Sequence, residues 1–316
     1  MITGPIANAQ QAGRILRIGF LDPSTASSMA GLLETFRHEL SKLGWIEGRN
    51  FTIDYRFAEQ KNERLPELAT DLVRLKVDLM VVSGSPPAVA AKKATTTIPI
   101  VMAGASDPVG AGLVASLAQP GGNVTGLSSL GTELNTKRLE ILKDAVPKLA
   151  RVGLLRSLGA SGITIDLQVK ELRSAALALN LKLEEIVTER DPKGLESAFQ
   201  TAKQKQVGAI MTTTGRSFFA VRKSTVELAG KYRLPAIYFQ KEFVDDGGLM
   251  SYGVDYDDLY RRAAGYVDKI LKGAKPADLP VQQASKFEFV INLKAAREIR
   301  LKLSPEFLSR ANKVIK

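Results

Sequence analysis

The sequence predicts an α/β protein with two Rossmann-like halves, each built on a parallel sheet, and three observations predict it. Strand-like apolar runs alternate with helical patterns, the series restarts near the middle of the chain, and the length is 316 residues. That length favours two domains. Regular alternation of strands and helices forms open parallel sheets with right-handed crossovers and helices on both faces. We therefore expect two similar halves.

Each element of the first half has its own signal. Apolar runs mark buried strands, strict alternation marks the strand at 51–57, and apolar residues three and four apart mark helices. The predicted strands are 15–21, 51–57, 78–82 and 99–103. The predicted helices are 29–43, 65–75 and 86–94. A cluster of proline and glycine at 119–126 then predicts loop structure and the boundary between the halves.

The second half repeats the pattern, because Arg151-Val152-Gly153-Leu154-Leu155 resembles the opening Arg17-Ile18-Gly19-Phe20-Leu21. The predicted strands are 151–155, 181–187, 207–211 and 235–238, and the predicted helices are 165–179, 194–205 and 217–232.

After Tyr238 the rhythm changes, and the chain is expected to cross between the halves. The glycines at 246–253 predict a turn, which a helix at 256–271, a strand at 287–291 and a last helix follow. We expect residues 1–14 to be a tail, with lobe 1 formed by 15–122 and about 243–280. Lobe 2 is expected to comprise 123–242 and about 281–316.

Composition excludes several functions. Hydrophobic residues make up 45% and charged residues 24%, which are globular values. The net charge is +11, and residues 123–241 hold 19 Lys and Arg against 11 Asp and Glu. These cations, Lys137 and Arg138 among them, alternate with acidic residues at helical spacing, which predicts a solvated helix face and no nucleic-acid partner. With no Cys in the sequence, we expect no disulfide, thiolate metal site or lipid anchor.

Four motifs in register resemble a known family. They are 44–50 (Gly-Trp-Ile-Glu-Gly-Arg-Asn), 107–110 (Asp-Pro-Val-Gly), 120–126 (Pro-Gly-Gly-Asn-Val-Thr-Gly) and 246–253 (Asp-Gly-Gly-Leu-Met-Ser-Tyr-Gly). Over residues 15–300 the chain is similar to the ABC-transporter substrate-binding proteins, a group with tryptophan- and phenylalanine-binding members.

The resemblance implies the type I periplasmic-binding fold, with two lobes joined by hinge crossovers and a ligand held between them. It implies capture by hinge closure and delivery to an ABC permease in the inner membrane. The small-x-small tripeptide Ala7-Asn8-Ala9 then reads as the remainder of a signal-peptide cleavage site. We expect an exported, unanchored periplasmic monomer that binds a small molecule, such as an amino acid or an aromatic carboxylate.

Polar residues follow the predicted strands where ligands bind in open α/β sheets, beyond the carboxyl ends. In the first half these are Asp22, Ser24, Ser83, Gly84, Ser85, Ser106 and Asp107. Backbone N–H groups at 83–85 suit a carboxylate, and either aspartate could pair with an ammonium group. Helix capping is the alternative role for each Ser and Asp.

The second half offers a matching set, namely Arg156, Thr213, Thr214, Tyr238 and Glu242. Tyr238 or Phe239 could form an aromatic platform, although at least one should pack in the core, since successive side chains of a strand face opposite ways. Arg156-Ser157 stands where the family often has asparagine-proline, which favours an anionic ligand.

Catalysis finds little support in the sequence. His38 is the single histidine, and neither a phosphate-binding Gly-Lys loop nor a dinucleotide glycine fingerprint occurs. We expect no catalytic residue, metal or cofactor. Two alternatives remain open: a ligand-sensing protein on the same bilobal fold, and an enzyme with two Rossmann-like domains using Asp22, Asp107 or Glu242.

Overall fold

The structure, a computed structural model, describes residues 14–158, 163–214 and 216–316. The expected tail up to residue 13, with the tripeptide at 7–9, lies outside the described residues, as do residues 159–162 and 215. Among the described residues, no helix is both long and apolar enough to cross a membrane.

The strands in chain order are β1 (Leu16–Asp22), β2 (Phe51–Phe57), β3 (Leu79–Val82), β4 (Ile100–Ala105), β5 (Val124–Ser128), β6 (Arg151–Ser157), β7 (Lys182–Thr188), β8 (Ala209–Thr212), β9 (Ala236–Tyr238), β10 (Met250–Val254), β11 (Gln282–Gln283), β12 (Phe287–Asn292) and β13 (Lys313–Ile315).

The helices are α1 (Ala26–Lys42), α2 (Leu65–Arg74), α3 (Ser85–Ala94), α4 (Gly131–Ala145), α5 (Ile163–Ala178), α6 (Pro192–Gln204), α7 (Arg216–Ala220), α8 (Arg222–Lys231), α9 (Glu242–Asp245), α10 (Tyr256–Leu271), α11 (Leu293–Glu298) and α12 (Pro305–Ser309).

The described strands form two sheets. One has six strands in the order β11-β5-β4-β3-β1-β2, and the other has seven in the order β13-β12-β10-β9-β8-β6-β7. β1 pairs in parallel with both β2 and β3, and β6 pairs in parallel with both β7 and β8. The pairing of β10 with β12 is antiparallel. The α/β prediction with two mostly parallel sheets is therefore confirmed.

Local sequence explains how the elements begin and which face they bury. Thr25 and Ser28 form a capping box at the start of α1, and Asp191 accepts a hydrogen bond from the backbone N–H of Gly194 at the start of α6. The second sheet has an apolar cluster on each face. Met211 and Ile237 belong to one cluster, and their strand neighbours Ile210, Ala236 and Tyr238 belong to the other. Helices thus cover both faces, as predicted.

Several elements were not predicted with bounds, among them the short β11, β13 and α9, and one predicted helix is divided. Residues 124–128 form β5 although they follow a Pro-Gly-Gly cluster, and 250–254 form β10 within the stretch predicted as a turn. α4 lies in the charged segment whose helical spacing predicted a solvated helix face without bounds. The helix predicted at 217–232 is interrupted at Val221, which separates α7 from α8.

The chain divides into two compact units. Unit 1 contains the described residues up to Ala103, together with Val114–Leu127 and Tyr260–Val281. Unit 2 contains Gly104–Leu113, Ser128–Leu259 and Gln282–Lys316. These bounds differ from the expected lobes at three places. β5 falls almost wholly in unit 1 because it belongs to the first sheet, residues 243–259 remain in unit 2, and Gly104–Leu113 also lies there.

Candidate functional site

The loop after β1 holds Asp22 and Ser24, and both side chains are fully buried in unit 1. The Asp22 Oδ1 atom accepts hydrogen bonds from the backbone N–H of Ser24, at 2.6 Å, and from its hydroxyl group. The Ser24 hydroxyl also accepts from Ser28 in the first turn of α1, at 3.0 Å. The carboxylate is thus held at the carboxyl end of β1 by the start of the following helix.

The loop after β3 brings Ser83, Gly84 and Ser85 to the same edge, because β3 is the neighbour of β1 in the sheet. Gly84 has φ of +90°, a left-handed conformation that favours glycine, and α3 begins at the next residue. The hydroxyl of Tyr260 donates a hydrogen bond to the Ser83 hydroxyl at 2.8 Å. Tyr260 was not predicted for this site, because nothing in its sequence context indicates which loop α10 approaches.

Ser106 and Asp107 follow β4 but belong to unit 2. The Asp107 carboxylate accepts from the backbone N–H of Gly110 at 2.8 Å, so it stabilises the turn that follows β4 and caps no helix. The Ser106 carbonyl accepts from the N–H of Gly131 at the start of α4, at 3.2 Å. Both side chains remain partly exposed.

Arg156, Thr213 and Thr214 lie at or beyond the carboxyl ends of β6 and β8, which are neighbours in the second sheet. Arg156 Nε lies 3.8 Å from a carboxylate oxygen of Glu185 on β7, so this arginine already has an anionic partner. Thr214 donates from its N–H and its hydroxyl to Gln168 Oε1, at 2.9 and 2.8 Å. The sheet therefore brings these three predicted residues to one edge.

Tyr238 lies in the core of unit 2 and is only 1% exposed. Its ring stacks on Phe243 at a centroid distance of 4.5 Å, and its hydroxyl is buried without a hydrogen-bond partner. A Cβ atom on Gly248 would lie 2.8 Å from Tyr238 Cε2, so the ring is directed toward the amino end of β10. Phe239 is buried as well, and Glu242 begins α9 with partial exposure. Tyr238 is therefore placed as a packing residue rather than as an exposed platform.

The structure reveals a residue that sequence reasoning assigned to a solvated surface. Arg138 on α4 is only 3% exposed, so the predicted solvated face does not include it. Its Nε donates to the carbonyl oxygen of Tyr252 at 2.8 Å, and a terminal N–H group donates to the Asn135 side-chain oxygen. Asn135 in turn contacts Gln168, which is bonded to Thr214. This set of four residues, Asn135, Arg138, Gln168 and Thr214, is called the Arg138 network below.

In the described part of the chain, no set of three or more His, Asp or Glu residues could hold a metal ion. His38 is an exposed residue of α1 and lines a surface groove with Trp45.

Solved structures similar to this chain cover almost its whole length. A conserved domain protein from Vibrio cholerae O1 biovar El Tor is 28% identical, with a TM-score of 0.87 over 95% of this chain and 100% of that one. The ABC domain from Streptococcus pneumonia, solved in complex with L-Trp, is also 28% identical, with a TM-score of 0.85 over 96% and 100% of the two chains. The architecture is that of type I periplasmic binding proteins, which confirms the predicted fold class.

The chain belongs to the family of ABC transporter substrate binding proteins, which it matches over residues 20–315. A curated relative, the tyrosine-binding protein of Clostridioides difficile (strain R20291), is 30% identical over 276 residues, or 85% of this chain and 75% of that protein.

Membership of this family identifies the class of function. The chain is a substrate-binding component of an ABC transporter, it captures a small molecule, and it is not an enzyme. Proteins of this family act outside the cytoplasmic membrane. The family predicted from the four motifs is thereby confirmed, and the enzyme alternative is wrong.

Proposed function

We propose that the chain captures an aromatic amino acid, with L-tryptophan and L-tyrosine as the first candidates, and delivers it to an ABC importer. One observation carries this choice: two relatives at 28–30% identity over most of the chain are a structure holding L-Trp and a protein named for binding tyrosine. The protein acts as an exported monomer in the periplasm.

The proposed contacts come from the carboxyl edges of the sheets. In unit 1 the hydroxyl and N–H groups at 83–85 hydrogen-bond polar atoms of the ligand, and Asp22, held in place by its hydrogen bonds from Ser24, pairs with the ammonium group of the ligand. In unit 2 the contributing groups are Ser106, Asp107, Arg156, Thr213, Thr214 and Glu242. Tyr238 contributes by packing beneath this edge, because its ring has almost no exposed surface.

Thermal unfolding with candidate ligands tests the proposal. A ligand that binds only the folded state at a hundred times its dissociation constant stabilises it by about 2.7 kcal/mol. We expect a higher unfolding midpoint with L-tryptophan or L-tyrosine and little change with the D-enantiomers. If the set of aromatic amino acids leaves the midpoint unchanged while another class raises it, the proposed ligand class is wrong.

Variants test the contacts independently. Thr213→Val and Ser85→Ala each remove a buried hydroxyl group from the carboxyl edges. Loss of one ligand hydrogen bond, at about 1.4 kcal/mol, weakens binding roughly tenfold. Ser41→Ala, at the exposed end of α1, is the matched control and should leave affinity unchanged. Equal affinities for all three variants would count against these contacts.

A further inference from the structure

Arg138 is a buried cation whose hydrogen-bond partners are neutral. It donates to a backbone carbonyl of Tyr252 and to the amide oxygen of Asn135. Among the described residues, no carboxylate lies within ion-pair distance of its guanidinium group. Other partly buried arginines of the chain do have such a partner: Arg17 pairs with Asp54, and Arg222 lies 2.7 Å from Asp246.

A charge in this environment is held at a cost in free energy. Burial in a low-dielectric region penalises an ion unless it is paired and hydrogen-bonded. That burial lowers the pKa of Arg138 to about 10, while the nearby Tyr256 and Tyr252 oppose the shift. The group still carries its charge at neutral pH, so an anion placed against it would recover electrostatic energy that the protein alone does not supply.

The Arg138 network extends to the carboxyl edge of the second sheet, and ligands bind at such edges in open α/β sheets. Thr214, at the far end of the Arg138 network, follows the carboxyl end of β8. Gln168 bonds to Thr214 through both ends of its amide, since Nε2 donates to the Thr214 carbonyl at 3.2 Å and Oε1 accepts from Thr214. With its rotamer fixed in this way, Gln168 Oε1 also accepts from Asn135 Nδ2 at 3.5 Å. Asn135 is thereby oriented with its oxygen toward Arg138.

We infer that Arg138 is the anchor for a carboxylate group of the ligand, and that it restricts the ligand to molecules that bear one. The inference rests on the proposed function and deepens it. It places the carboxylate in unit 2 rather than on the loop at 83–85, which remains available for other polar atoms of the ligand. Asn135 and Gln168 are positioning residues that hold the guanidinium plane.

The first experiment changes the ligand and leaves the protein unaltered. Calorimetric titration of the wild-type chain compares L-tryptophan with L-tryptophanamide and tryptamine, at about pH 6, where the α-amino group is protonated in all three. A buried charge that stays unpaired in the complex weakens binding by at least about 30-fold. We therefore expect L-tryptophanamide and tryptamine, which lack a carboxylate, to bind at least that much more weakly than L-tryptophan. Equal affinity of acid and amide would overturn the inference.

The second experiment removes the charge from the protein. Arg138→Gln should weaken binding of L-tryptophan and bring the acid-to-amide preference close to unity, because the amide loses no partner. Arg138→Lys should recover part of that preference, since an ammonium group keeps the charge but not the planar fork. Lys137→Gln removes one charge from an exposed position of the same helix and should retain the wild-type preference.

Two further results separate failure of the inference from failure of the proposed function. If Arg138→Gln does not fold, as judged by circular dichroism, the acid-to-amide preferences of the wild type and Arg138→Lys decide the matter. If no aromatic amino acid binds the wild type, the proposed function fails, and the same titrations are run with indole-3-propionate and phenylacetate. Arg138-dependent binding of either acid would support the inference alone, and absence of binding by every carboxylate tested would overturn it.

Discussion

Three hydroxyl groups without hydrogen-bond partners lie in adjacent strands of unit 2. Tyr238 is opposite Ser251 in the register of β9 and β10, and Thr212 is the last residue of the neighbouring β8. All three are buried, and none of their hydroxyl oxygens has a partner. A buried polar group left unsatisfied costs about 1–3 kcal/mol, so these residues weaken the core in which they pack.

Tyr238→Phe tests the effect of one such hydroxyl on stability. The substitution keeps the stacking on Phe243 and removes only the unpaired oxygen. We expect the free energy of unfolding, measured in urea, to stay constant or to rise by about 1 kcal/mol. Burial without a partner also raises the pKa of Tyr238, consistent with an environment that disfavours charge.

Tyr260→Phe is the matched control, because Tyr260 is equally buried but donates to Ser83 at 2.8 Å. Removing that hydrogen bond should lower the free energy of unfolding by about 1–2 kcal/mol. A greater loss for Tyr238→Phe than for Tyr260→Phe would mean that the Tyr238 hydroxyl has a stabilising partner.

At the residue scale, the sequence predicted positions better than roles. Residues just after a strand, such as Ser83 and Thr213, could be predicted for the carboxyl edge because strand ends are visible in the sequence. Arg138 could not, since its neighbours Lys137 and Glu140 are exposed and form an ion pair typical of a solvated helix face. Its burial depends on helices and strands distant in sequence, namely α5 and β10.

At the element scale, regular hydrophobic patterns predicted strands and helices well, whereas strands that contain glycine were missed. Strand 51–57 and helix 256–271 were predicted with their observed bounds. Apolar and polar residues alternate clearly in the strand, and apolar residues recur at helical spacing in the helix. β5 and β10 were missed because glycine and proline in the same stretches favoured turns. β5 tolerates glycine because its neighbour β4 approaches closely at that point.

Gly126 in β5 is the position where this close approach requires glycine. Its φ is +125°, and a Cβ atom there would lie 2.6 Å from the backbone nitrogen of Met102 and closer still to its carbonyl oxygen. Gly126→Ala therefore combines backbone strain with overpacking against main-chain atoms that cannot move aside. We expect a loss of at least about 2 kcal/mol in the free energy of unfolding, measured by thermal or urea denaturation.

Gly122→Ala provides the comparison within the same motif. A Cβ atom at Gly122 would meet no atom within 4 Å. This variant should unfold within about 0.5 kcal/mol of the wild type. If the two alanine variants have the same stability, the β4–β5 spacing does not explain the glycine.

On the scale of the whole molecule, each unit is assembled from segments that are discontinuous in sequence. Unit 1 contains residues from both sides of Gly104–Leu113, and its last segment is Tyr260–Val281. No single cut would separate the units as intact pieces. Ligand-binding experiments therefore require the full chain.

The family assignment makes a further whole-molecule prediction, that the ligand leaves the protein chemically unchanged. The relatives are substrate-binding proteins, and the described residues contain no set of three or more His, Asp or Glu side chains that could hold a metal ion. The single histidine, His38, lies exposed on α1, away from the carboxyl edge of the sheet.

After overnight incubation with stoichiometric L-tryptophan and denaturation of the protein, mass spectrometry should recover the amino acid quantitatively and at its original mass. A parallel sample without protein controls for spontaneous decay. The ligand should be unaltered because a transport receptor delivers the molecule that it binds. Equilibrium dialysis should give one ligand per chain. Protein-dependent loss of tryptophan, or appearance of a product in proportion to protein concentration, would contradict the receptor assignment even if binding were tight.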